Sequence, residues 1–245
     1  MNLRKKIFFS HLLFFLIISS AFIWSRLFYY FIIVFNVFLF SFLILFFRKD
    51  LWNRDKFLLP LLPFFFLNSF LFFLSISVPS FYFIFFILIA IILSYCYCLN
   101  LKKRKFTSLL VWSDIISLLS VFLASSFFYS LNYFLNINSV WVFLFLSIFI
   151  FLIAGLNISL LSQPRSLSVF FLIIFLLSLI PLIWSFFFLP FNYNIIALLL
   201  SVLYYAGLSF IRLYLNRDLG PKKIKYNLIF IISLLILILL SVKWR

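Results

Sequence analysis

The sequence predicts an all-α fold, a polytopic transmembrane helical bundle of about nine spans with its N-terminus inside and its C-terminus outside. Three observations predict it. The 245 residues are 68% hydrophobic and 10% charged, whereas a soluble domain is about half apolar and about a quarter charged. Nearly all the apolar residues fall into runs long enough for a helix to cross about 30 Å of hydrocarbon at about 1.5 Å per residue. Those runs do not alternate polar with apolar residues, so they do not read as the strands of a membrane β-barrel.

Nine runs can be marked in order, at roughly 7–24, 27–47, 57–76, 80–98, 107–129, 140–160, 167–188, 195–215 and 227–242. Residues 1–245 therefore read as a single transmembrane domain. The longest separator, "NRDLGPKKIKY", is too short for an extramembrane domain. No internal repeat is visible, which weighs against an inverted-repeat transporter. The first run has a second reading. "RKK", an apolar stretch and Ser19-x-Ala21 follow the order of a cleavable signal peptide over residues 1–21. The apolar stretch resumes at once, and the threading of the remainder is the same either way. In the third run, "LLPLLPFFFLNSF", Pro60 and Pro63 occupy the first two turns, where missing N–H groups cost little. The fourth ends in "SYCYCLN", whose two cysteines are too close for a thioredoxin-type pair and too few for a structural zinc site. They read as unpaired thiols. Pro181, deep in the seventh run, is expected to kink it.

The basic residues fix the orientation. With the N-terminus inside, seventeen of the twenty lysines and arginines fall on the inner side, and Arg26, Lys243 and Arg245 remain outside. The bias repeats from loop to loop, as the positive-inside rule requires. The net charge of +16 therefore points to anionic headgroups on the cytoplasmic side of a cell membrane, not to nucleic acid. Ten of the twelve tyrosines lie near span ends, where a hydroxyl stays wet. Tyr204 and Tyr205 are the exceptions, at mid-membrane depth.

Few polar side chains are left inside the spans. By helical rise from the nearest inner basic residue, His11, Asp114 and Arg212 lie about 7, 13 and 7 Å deep, so contact among them is geometrically possible. An unpaired Asp or Arg near mid-span costs about 2.5–3.5 kcal/mol on insertion scales. Pairing is the cheapest way to keep both. Asp114 then has two readings: the partner of Arg212 or His11 in a helix-locking pair, or a proton or cation site. Ser113, Ser117, Ser120 and Ala124 form a small-residue stripe beside it, expected to face protein. On span eight, Ser201, Tyr205, Ser209 and Arg212 form a polar stripe that could line a headgroup-sized cleft or a helix seam. Asn36 and Asn68, near mid-bilayer, are expected to hydrogen-bond across helices. Gly155 and Gly207 each sit ten residues from an inner arginine, and spans six and eight could cross closely there.

No enzyme signature is present. His11 is the only histidine, which removes H-E-x-x-H zinc sites and Ser-His-Asp triads. There is no glutamate and no second intramembrane aspartate for a carboxylate dyad or paired Mg²⁺ ligands, and no glycine-rich phosphate loop. No catalytic residue, metal or cofactor is expected. The first functional reading is a non-enzymatic scaffold or accessory subunit packed against a membrane protein partner. The alternative is a small carrier or lipid-handling protein using Asp114 and the stripe that ends at Arg212.

The C-terminal third, "LIWSFFFLPFNYNIIALLLSVLYYAGLSFIRLYLNRDL" with its basic connector, last span and "KWR", resembles a family of uncharacterised bacterial multi-span membrane proteins. The resemblance rests on Trp184, Leu189, Pro190 and Phe191 before a span that contains Tyr204 and Tyr205 and ends in Arg212. That family has no assigned activity. The resemblance implies a membrane protein and makes span eight the segment to inspect.

Overall fold

The computed structural model describes residues 61–77, 88–97, 106–159, 165–215 and 220–241. The first two predicted spans, with His11 and Asn36, lie outside the described residues. Among the described residues all regular structure is helical. The helices are α1 (Leu61–Ser77), α2 (Leu88–Tyr97), α3 (Phe106–Leu135), α4 (Ser139–Ser159), α5 (Arg165–Ser185), α6 (Tyr193–Leu215) and α7 (Pro221–Ser241). A 3₁₀ turn, Phe186–Phe188, follows α5. Among the described residues, four stretches are long and apolar enough to cross a membrane: Leu110–Leu135, Ser139–Ser159, Ser166–Phe188 and Tyr193–Leu215. They coincide with predicted spans five to eight, and the chain is an integral membrane protein by this measure.

Local sequence explains where these helices stop and start. Beyond Tyr129, "SLNYFL" continues α3 by six residues past its expected end, and Asn136 then turns the chain with φ 50°. Asparagine tolerates this left-handed conformation better than most residues and so ends helices. The side chain of Asn132 ties the turn, donating to the Ile137 carbonyl at 2.8 Å and to Ser139 Oγ at 2.9 Å. Asn138 opens α4: its Oδ1 accepts from the Val140 N–H and its carbonyl accepts from Trp141 and Val142. Asn192 caps α6 in the same way, accepting from the Asn194 N–H at 3.1 Å. At α7, Gly220 precedes Pro221 at the first helical position, where the missing N–H is harmless. That helix begins six residues before its expected start and takes the lysine-rich connector into its first turns. Pro181 does not interrupt α5, which is α-helical from Arg165 to Ser185.

The chain forms two compact units that divide at Ile116 and Ser117, within α3. In the first, α1 buries Leu62 and Phe66, and α2 buries Ala90, Ser94 and Tyr97 at the i, i+4, i+7 spacing of one helix face. Asn68 departs from its expectation. Its Nδ2 donates at 3.0 Å to the Phe64 carbonyl of its own helix, because an amide can satisfy itself one turn back without waiting for a neighbouring helix.

In the second unit, α4 packs on α5, α5 on α6 and α6 on α7. The polarity is that of a protein solvated by lipid. The outward faces carry Phe145 and Ile148 of α4, Ile173 and Leu177 of α5, and Ile229, Leu237 and Leu240 of α7, all exposed. Buried positions, by contrast, include Ser120, Ser125, Ser126, Ser130, Asn157 and Ser201. Small hydroxylic residues between helices allow close approach, while large apolar ones face the acyl chains. The stripe expected to face protein does so: Ser113, Ser117, Ser120 and Ala124 are each at most 2% exposed.

Candidate functional site

The polar side chains of the second unit meet in two places, one in its interior and one near the start of α6. In the interior, Asn157 of α4 is completely buried and joins two residues of α6. Its Nδ2 donates to the Tyr204 hydroxyl at 3.2 Å, and its Oδ1 accepts from Arg212 Nη2 at 3.3 Å. Tyr204 and Arg212 are eight residues apart, about 12 Å along the helix axis, so their long side chains converge on one amide. Arginine in a span usually snorkels toward the headgroups. Here one guanidinium nitrogen turns inward instead, and the residue stays half-buried.

Gly207 holds this network in place. A Cβ there would lie 2.2 Å from Phe175 Cε2 and 2.7 Å from Phe175 Cδ2, so the Phe175 ring of α5 rests against the α6 backbone. The same ring meets Tyr204 edge-on, with centroids 5.6 Å apart, and fixes the phenol that receives the Asn157 bond. A Cβ on Gly155 would meet Leu172 of α5 at 3.6 Å. The close crossing expected between spans six and eight is therefore replaced by contacts of both glycines with α5, because α5 lies against both helices.

Three further bonds of the unit run between helices, while Ser130, Ser159, Ser178, Ser185 and Ser201 bond carbonyls of their own helices. Asn227 of α7 donates to Ser209 of α6, and Ser126 of α3 donates to Asn194 of α6. The Tyr129 hydroxyl donates at 2.9 Å to the carbonyl of Ile183, one of the last four carbonyls of α5, which have no partner within their own helix. Hydropathy alone places the Tyr129 hydroxyl in water at a span end. The residue is instead 3% exposed, and a main-chain acceptor takes the place of water.

The second place is a cavity of about 730 Å³ bounded by the end of α3, the Phe186–Phe188 turn, the 189–192 connector and the start of α6. Its walls include Tyr129, Asn132, Tyr133, Phe187, Asn192 and Tyr193. Leu189, Pro190 and Phe191, which carry part of the family resemblance, also line it.

The predicted site residues are distributed as follows. Tyr204 and Arg212 share a partner, while the stripe of Ser201, Tyr205, Ser209 and Arg212 splits. Ser201 bonds the Leu198 carbonyl of its own helix, Ser209 meets α7, and Arg212 meets α4. Asp114 is half-buried on α3 within the first unit, and Arg212 belongs to the second; His11 lies outside the described residues. Asn157 escaped the sequence reading, although an amide within an apolar span is a visible signal. Comparison with protein-family models, curated proteins and solved structures finds no match to this chain, and nothing in it bears on the resemblance of the C-terminal third.

Proposed function

We propose that this chain is a multi-pass protein of the cytoplasmic membrane that works without catalysis, as a scaffold or accessory subunit. In this reading it crosses the bilayer nine times with the N-terminus in and the C-terminus out, and its basic loops contact anionic headgroups on the cytoplasmic side. The positive-inside bias supports the threading. One observation carries the functional reading: within the second unit Tyr129, Asn157, Tyr204, Ser209, Arg212 and Asn227 form hydrogen bonds that run from one helix to another. Such bonds pin helices in register, while the large apolar residues outside them offer area for packing against partner helices.

Half-burial of Arg212 at the end of α6 favours a second reading, a small carrier or lipid-handling protein working through Asp114 and the stripe that ends at Arg212. Purification of the full chain in mild detergent separates the two. A partner membrane protein retained at fixed stoichiometry, and lost when Ile229, Leu237 and Leu240 are replaced by alanine, supports the scaffold. A monomer whose stability depends on an ion or lipid, with that dependence abolished by Asp114→Asn, supports the carrier instead.

A further inference from the structure

The cavity at the start of α6 plays no part in the scaffold reading, and its lining restricts what could fill it. Its volume of about 730 Å³ lies within the range of about 300–1,000 Å³ common for small-molecule sites. Among the described residues, no lysine, arginine, histidine, aspartate or glutamate lines it, in a chain with twenty lysines and arginines. A phosphate, carboxylate or ammonium group would enter without a counter-charge, which is costly. The walls are aromatic. Tyr129 and Phe187 pack with centroids 4.8 Å apart and planes tilted by 55°, and Tyr193 meets Phe134 at 5.5 Å and Tyr133 at 6.2 Å.

The lining is not purely apolar, which distinguishes it from an acyl-chain groove. Tyr133 and Tyr193 carry hydroxyls that make no hydrogen bond among the described residues, and Asn192 uses only its Oδ1. Asn132 commits its amide N–H groups to the turn and keeps its Oδ1 for another donor. Neutral donors and acceptors set between aromatic faces suit a ligand with several hydroxyls around a C–H-lined ring. We propose that this cavity binds a neutral glycosyl group, presented either as the headgroup of a glycolipid or as a free saccharide. Its position agrees with this: α3 ends and α6 begins there, at the ends of two membrane-length helices. The proposal does not depend on the scaffold reading, and either can fail alone.

The test uses the full chain in phosphatidylcholine nanodiscs, which avoids sugar-based detergents. The discs are doped with diacylglycerol or with its monoglucosyl, monogalactosyl or N-acetylglucosaminyl derivative, and native mass spectrometry reads the retained lipid. At least one glycosyl lipid is expected to be retained about tenfold or more over diacylglycerol, a preference that two neutral hydrogen bonds can supply. Tyr133→Phe combined with Tyr193→Phe should reduce that preference to under about threefold at an unchanged thermal midpoint. Should the double change alter the midpoint, Tyr133→Phe alone, at a residue 65% exposed, gives the same reading with a smaller loss. Displacement by millimolar methyl glycoside identifies the saccharide itself as sufficient; no displacement identifies the lipid-borne form. Equal retention of all four lipids, or a preference that survives loss of both hydroxyls, overturns the proposal.

Discussion

Gly207→Ala reverses the usual expectation for a glycine within a helix. On propensity alone, alanine in mid-helix is favoured over glycine by about 1 kcal/mol. Against that, the added Cβ would sit 2.2 Å from Phe175 Cε2, well inside van der Waals contact. The ring has little room to yield, because Phe175 is 4% exposed and braced edge-on by Tyr204. Overpacking of this kind costs about 1–3 kcal/mol, so the net effect is a loss of about 1 kcal/mol. Phe175→Ala removes the ring at its own cost of about 3–5 kcal/mol, and in that background the Cβ added by Gly207→Ala has space. There the propensity term acts alone, and Gly207→Ala should stabilise by up to about 1 kcal/mol. Reversible unfolding in bicelles, measured for the four members of this cycle, should give a coupling of about 2 kcal/mol with a change of sign. If Gly207→Ala has the same effect in both backgrounds, the close approach of α5 to α6 is not what glycine serves at this position.

Three further outcomes follow from individual bonds. Tyr129→Phe removes the hydroxyl that reaches the Ile183 carbonyl, and unfolding stability should fall by about 1 kcal/mol; an unchanged value would mean that the carbonyl is satisfied elsewhere. Asn136→Val places a β-branched residue at φ 50°, where the thermal midpoint should drop by the equivalent of about 1–2 kcal/mol, while Asn136→Gly should be tolerated. Asn227→Leu with Ser209→Ala replaces both members of an interhelical bond with apolar groups and should be nearly neutral, whereas Asn227→Leu alone should cost about 0.6–1.7 kcal/mol; denaturant titrations of the two variants decide it.

The helices are legible wherever hydropathy alone defines them. Run length locates α4 to within one residue at each end, because lipid-facing faces demand unbroken apolar sequence. The ends of α3 and α7 are not legible in this way. Asn132 and Tyr133 look like loop residues by polarity, yet the bonds of the Asn132 side chain to the turn and the Asn136 cap let α3 run through them. The Gly220-Pro221 start signal of α7 is present but sits inside a lysine-rich connector, whose charge masks it. The candidate site is less visible. Wheel geometry raises the Ser201–Tyr205–Ser209–Arg212 stripe, but which of Tyr204 and Tyr205 turns toward Asn157 depends on which helix lies opposite. Span periodicity carries no information about that adjacency. Nor does sequence favour Asn157 over Asn68, since one amide bonds across helices and the other bonds its own turn.

In the scaffold reading, the polar side chains inside the second unit hold helices together and await no ligand. The decisive experiment is a double-mutant cycle on Asn157→Leu and Arg212→Met, read as unfolding stability in lipid bicelles. Asn157→Leu alone removes the bonds to both Tyr204 and Arg212 and should cost about 2–4 kcal/mol, the loss of one neutral and one charge-assisted hydrogen bond. With Arg212→Met added, the charge no longer needs an acceptor, and half or more of that loss should be recovered. If the two changes simply add, Asn157 and Arg212 act independently, and the interior network is not what locks α4 to α6.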